Sequence, residues 1–367
     1  MTNRLAFVLT AGVALIPAAC ASHRHGAANK PLEHVRPSVR LDAIHRAQVW
    51  EATDVAAMDF RTGPKGHGAF APEETVRCKY VQKAMSGNSP KFTCVSPPDD
   101  EMKVKFGHEN GEVYAEVAAT RLFWALGFPA DRMYPVRVVC EGCPAGNHTT
   151  RDDASGAIVF DPASIERKLK GQTIETKPDS GWAWPELDLV EESAGGAPRA
   201  QRDALKLLAV FIQHTDNKPA QQRLLCLDEK ESPKTGERAG CAHPLMMVND
   251  LGQTFGRSNL FNRDHVGSVN IDKWSSAHVW KDDKLCIGNL PPSQSGTLDN
   301  PPISEGGRKF LSDLLMRLSD AQLQALFDVA RFAERSQSGE VRAGTVDEWV
   351  AAFKKKRGEI ASRTCPS

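Results

Sequence analysis

Asp216, Lys218, Gln221 and Asp250 are the side chains in this 367-residue chain whose types and order could do chemistry together. An apolar run ending at Phe211-Ile212 leads into Gln213-His214-Thr215-Asp216-Asn217-Lys218-Pro219-Ala220-Gln221, and Asn249-Asp250-Leu251-Gly252 follows later. Phosphoryl transfer needs such parts: an acid to orient an attacking hydroxyl, a cation for developing charge, and oxygen ligands for magnesium. A polar turn closing a helix, with an unrelated turn further on, would use similar residues. The combination and its order are what point to chemistry.

The first stretch resembles the catalytic loop of the protein kinases, H-R-D-x-K-P-x-N, in the form His-Thr-Asp-Asn-Lys-Pro-Ala-Gln. The second resembles their metal-binding D-F-G, with leucine in the middle place. The resemblance implies Asp216 as base or orienting acid, Lys218 at the transferred group, and Gln221 and Asp250 as magnesium ligands. Glutamine is one methylene longer than the asparagine it replaces, so Asn217 and Gln222 are alternative oxygen donors.

Upstream lie the parts that would hold a nucleotide. Residues 76–81, 92–95 and 101–106 read as strands, joined first by the turn Ser86-Gly87-Asn88-Ser89-Pro90-Lys91. That turn is similar to the Ser-Gly-x-Gln-Pro-Lys loop of HipA-like kinases, which implies Gly87 and Lys91 at the phosphates of ATP. Lys105 is the better candidate for a phosphate lysine, and Lys103 shares its strand face; two solvent-facing lysines on an edge strand are the plain alternative. A helix over 112–126 offers Glu116 to hold that lysine, with Glu109 and Glu112 as competitors. Residues 133–139 and 156–160 read as further strands and 163–170 as a short helix, with the interlobe hinge and adenine contact implied between 136 and 165. Gly63 to Phe70 is glycine-rich but lacks a strand–turn–helix context, so it reads as a flexible loop.

These elements must be positioned by a larger body. A long helix from Pro198 would deliver Asp216, and helices are expected over 304–318, 319–337 and 345–360, with Ser319 and Gln322 as a capping box. The expected fold class is α+β: a two-lobed kinase-like fold of the HipA-like, CotH-like or phosphoinositide-kinase-like kind. A small antiparallel β lobe plus helix spans 75–165, and a larger, mainly helical lobe spans 166–367. No A-P-E follows Gly252 at the usual distance, and 256–300 is loop-rich.

Lys+Arg and Asp+Glu both number 46, and no long basic block occurs, which argues against a nucleic-acid partner. Arg4 followed by the apolar run Leu5 to Ala19 reads as a signal peptide over 1–21, with 22–74 as tether and N-terminal extension. Cleavage could follow Ala21, or Cys20 could be lipidated and anchor the chain to a membrane, since Leu15 to Cys20 resembles a lipobox with Pro17 where leucine is usual. The expected location is the periplasm or cell envelope. Export gives meaning to eight further cysteines. Cys78 with Cys94 and Cys226 with Cys241 are expected across hairpins, and Cys286 with Cys365 as a tie on the C-terminal helices. Cys140 and Cys143 could bridge to each other, exchange disulfides, or bind zinc with His148.

The function that follows is an exported ATP- and Mg2+-dependent phosphotransferase acting on a protein, lipid or small molecule. The alternative is a non-catalytic kinase-like envelope lipoprotein that binds a partner through 256–300. A metal hydrolase is disfavoured, because His214, His243, His265 and His278 lack the i, i+4 spacing of a zinc-binding helix.

Overall fold

Three stretches that alternate apolar with polar side chains become strands β1 (Glu74–Val81), β2 (Lys91–Ser96) and β3 (Asp100–Phe106). In β3 the period of two turns Met102 and Val104 into an apolar core and leaves Lys103 and Lys105 on the opposite face. The computed structural model describes residues 35–366, apart from 86, 88, 147–148, 153–154, 178–179, 229–240, 257–268, 283, 294 and 336–340. The expected leader with Cys20, the turn residues Ser86 and Asn88, His148 and His265 therefore lie outside the described residues.

Strand β4 (Arg132–Glu141) runs parallel to β1, with Cys78 opposite Cys140, and antiparallel to β6 (Ile158–Arg167). Strand β6 also pairs with β3, Lys103 opposite Glu166 and Lys105 opposite Ser164. Strands β1, β2, β3, β6 and β4 thus form a closed ring, with β5 (Thr150–Arg151) on the outer end of β6. Closure removes the exposed edge that would make β3 a liability. Two expectations change here. The β unit is mixed rather than wholly antiparallel, and residues 163–167 are strand instead of helix. Ala163 and Ile165 face the ring's apolar core, so the stretch follows a period of two.

The chain leaves the ring after Arg167 and joins a second sheet of β7 (Gln172–Thr173), β8 (Gln222–Cys226) and β9 (Pro244–Val248). Residues 168–171 make the passage between the two sheets. Asp131, before β4, fastens it: its Oδ1 accepts from Leu169 N at 2.7 Å. Burial, and then the neighbouring charge of Glu166, push the Asp131 carboxyl up to about 7. The folded protein holds that proton more tightly than the unfolded chain does. The penalty for ionising it is absent below the unfolded value and complete once pH has passed the folded one. We expect Asp131→Asn to lose less stability than wild type on going from about pH 5 to about pH 8. Urea unfolding across that range measures this, and parallel pH profiles would contradict it.

Helix α1 (Pro37–His45) lies in the N-terminal extension, and α2 (Glu112–Leu126) follows β3. Every residue of α2 except Trp124 is buried. It packs against β4 on one side and α6 (Asp320–Val329) on another, in a core that also takes in Val49, Val55 and Phe60. Helix α3 (Arg199–Phe211) sets Leu205 and Leu208 into the same core and ends at the candidate catalytic loop. Helices α5 (Glu305–Met316) and α7 (Val346–Ala361) lie close to the expected ranges, and short α4 (Ile271–Ser276) falls outside them. Helix α6 carries the Ser319–Gln322 capping box but ends at Val329, short of the expected 337, with Arg331 left-handed at φ +56° just beyond it.

The glycine-rich segment is a tied strap. Arg121 donates to Phe60 O and Arg61 O, Tyr134 Oη to Pro64 O, Arg132 to Lys65 O and Arg167 to Gly68 O. Disulfides join Cys78–Cys94, Cys226–Cys241 and Cys286–Cys365 as expected, and Cys140 bridges to Cys143. Four such bonds belong to a non-reducing environment. No helix among the described residues is long and apolar enough to cross a membrane.

Candidate active site

Lys105 leaves the outer face of β3 and points at α2. Its Nζ lies 2.6 Å from Glu116 Oε1, 2.7 Å from Glu112 Oε2 and 3.8 Å from Asp250 Oδ2. Strand, helix and the turn after β9 each supply part of one cluster. Lys105 is 1 % exposed, so burial alone would strip its proton. The carboxylates of Asp250, Glu116 and Glu112 outweigh burial and hold its pKa well above the ordinary lysine value. Glu116 is pushed well above the ordinary carboxyl value, burial prevailing over the attraction of Lys105. Asp250 goes the other way: burial opposes its charge, but Lys105 and then Lys103 hold its carboxyl low. Its Oδ1 also accepts from Gly252 N at 3.0 Å. Gly252 is required by contact, since a Cβ there would fall 2.7 Å from Glu112 Cγ.

The other nucleotide-binding candidates gather nearby. Lys91 stands opposite Lys105 on the neighbouring strand. Its pKa is lowered, by burial and then by the like charge of Lys105. Gly87 adopts φ +80°, which favours glycine, and a Cβ there would come 2.9 Å from Lys91 Nζ. Lys103 instead bonds Glu166, and that partner, against the pull of burial, raises its pKa.

The catalytic-loop candidates follow α3 and reach the Asp250 segment through Gln221. Gln213, at φ +54°, turns the chain after α3. Lys218 Nζ and Gln221 Nε2 both donate to Asp216 Oδ2, at 2.8 and 2.7 Å. Gln221 O accepts from Asn249 N at 2.9 Å and Asp250 N at 3.4 Å, so Gln221 joins the two acidic segments. Its amide nitrogen is engaged with Asp216, which leaves Oε1 as its donor atom for a metal.

The alternative donors are committed elsewhere. Asn217 is fully buried; its Oδ1 accepts from Thr297 N and Leu298 N, and its Nδ2 donates to His214 O. Gln222 is fully buried; in the amide orientation that satisfies its neighbours, its Nε2 donates to Lys218 O and its Oε1 accepts from Trp184 Nε1. His214 is buried, packs edge-on to Trp184, and is pushed down to about 4 by burial, so it is a neutral core residue. Among the described residues, the group of three His, Cys, Asp or Glu side chains close enough to share an ion is Cys226, Asp228 and Cys241. Both of its sulfurs are spent in a disulfide.

Two features escaped the sequence reading. Glu112 and Glu116 hold Lys105 together rather than as competitors, a pairing that their i, i+4 spacing on one helix face could have signalled. Gln253, which bonds Glu112, carried no signal, because that contact spans 141 residues.

The cluster can hold anionic oxygens against Lys105 and Lys91, and a hard cation against Asp250. No protein-family model matches the chain, and no curated protein matches it. Among solved structures it is similar to the proinflammatory kinase CtkA of Helicobacter pylori, with a TM-score of 0.40 and 10% identity over 80% of this chain and 95% of that one. It is also similar to the Golgi casein kinase with Mn/ADP bound, with a TM-score of 0.34 and 11% identity over 78% of this chain and 73% of that one.

Proposed function

We propose that this protein is an exported phosphotransferase with an atypical kinase-like architecture, using ATP and Mg2+ on a protein, lipid or small-molecule hydroxyl. The observation that carries the reading is the meeting of Lys105, Glu116 and Asp250, which come from a strand, a helix and a turn, with Asp250 far along the chain from the other two. In this arrangement Lys105 binds phosphate oxygens, kept charged and oriented by Glu116. Lys91, crowded by Lys105, gains from an anion placed between them. Asp216 orients the acceptor hydroxyl and takes its proton as the new oxygen–phosphorus bond forms and the terminal phosphoanhydride bond breaks. Lys218 meets the charge that develops.

The residues fit a divalent cation. One ammonium among three carboxylates leaves the cluster short of positive charge, and Glu116 Oε2 is buried with no hydrogen-bond partner. Asp250 and Gln221 Oε1 would hold magnesium, which would neutralise phosphate charge. The four disulfides support an exported location.

Purified protein should show a magnesium-dependent thermal shift with ATP, of about 2.7 kcal/mol at about a hundredfold excess over Kd. Asp250→Ala should abolish it. No shift with any nucleoside triphosphate would favour the second reading, a disulfide-stapled binding protein on a kinase-like scaffold.

A further inference from the structure

Lys105 has one carboxylate more than its orientation requires. Glu116 lies 2.6 Å from Nζ, yet Glu112 Oε2 lies at 2.7 Å as well. One helical turn separates the two glutamates, so α2 offers both to one cation. The second oxygen of Glu112 serves a different segment: Gln253 Nε2 donates to Glu112 Oε1 at 3.2 Å. Gln253 directly follows Asp250-Leu251-Gly252. Its carbonyl accepts from Thr215 N at 3.0 Å and from Thr215 Oγ1 at 3.2 Å, and Thr215 precedes Asp216. Gly252 lets the segment come this close, because any Cβ would meet Glu112. One short chain of contacts therefore runs from Lys105 through Glu112 and Gln253 to Thr215.

Building on the phosphotransfer reading, we propose that Glu112 and Gln253 are a positioning pair that clamps the Asp250 segment and the Asp216 loop in register with Lys105. Neither touches the reacting atoms. Glu112 fixes where the lysine lies relative to the metal-binding turn, and Gln253 extends that constraint to the catalytic loop through its carbonyl. Its action is on the rate step more than on substrate capture: a loosened clamp leaves the binding groups present and the acid misplaced.

The test is a double-mutant cycle with Glu112→Ala, Gln253→Ala and the double variant. Amide hydrogen exchange over residues 250–255, measured without nucleotide, reads the clamp directly. Both single variants should speed exchange there by about tenfold, and the double variant should match the larger single effect rather than their product. With Mg2+ and ATP, Gln253→Ala should lower kcat about tenfold and leave KM near wild type. Unchanged exchange at 250–255 in Gln253→Ala, or independent effects of the two substitutions, would overturn the clamp whatever the nucleotide does. Faster exchange in a protein whose wild type binds no nucleotide would keep the clamp and remove the phosphotransfer reading.

Discussion

Asp216→Asn is expected to lower phosphoryl transfer by about 10²- to 10⁴-fold and to leave nucleotide affinity unchanged. The substitution keeps the shape of the side chain. Its amide oxygen can still accept from Lys218 and Gln221, which now meet Asp216 Oδ2 at 2.8 and 2.7 Å. What disappears is the negative charge and the capacity to take a proton. No neighbour can replace it: His214 is buried, neutral and pushed down to about 4, and Asp250 is engaged with Lys105. Single-turnover transfer with ATP, alongside a binding isotherm, separates the two effects. A variant that transfers as fast as wild type would move the orienting acid to another residue.

Lys105→Met should have the largest effect on folding. The lysine is the shared partner of Glu112, Glu116 and Asp250. Methionine fills similar space but leaves buried carboxylates without their cation, a change that costs about 3–5 kcal/mol. The sign of the pH dependence follows. Without Lys105 the carboxyl groups have folded pKa values above their unfolded ones, so the deficit is absent below the unfolded range and grows as pH rises through the folded range. Asp250, which Lys105 now holds low against the pull of burial, should contribute most. Urea unfolding at about pH 5 and about pH 8 should therefore show the smaller deficit at the lower pH. Equal deficits would mean that the charges are compensated in another way. Nucleotide binding should also be lost, since Lys105 is the proposed phosphate lysine.

Much of this site could be read from the sequence because its signals are local. Alternation in β3 put Lys105 on the face opposite Met102 and Val104. The span of α2 agrees with the expected helix, and hairpin proximity foretold the Cys78–Cys94 and Cys226–Cys241 bonds. What could not be read was set by long-range pairing. The second half of β6 resembled a helix until β3 and β4 were seen flanking it, and the parallel β1–β4 register joins strands separated by two others and α2. Asn217 looked like a spare metal ligand because its pairing with Thr297 and Leu298 crosses 80 residues of sequence or more. Gln253 stayed silent for the same reason.

Helix α2 is walled in by the strand ring, by α6 and by the extension that carries Val49, Val55 and Phe60. To swing Glu116 away from Lys105, the protein would have to tear open its own interior. The grip on the lysine therefore depends on the packed interior and not on a mobile element. If Lys105 binds a ligand as proposed, that affinity should carry little discount for an incompetent population. A partner that sought to silence the protein by prising out this helix would find no handle on it, so restraint would have to come from competition at the mouth of the site or from the supply of what it binds.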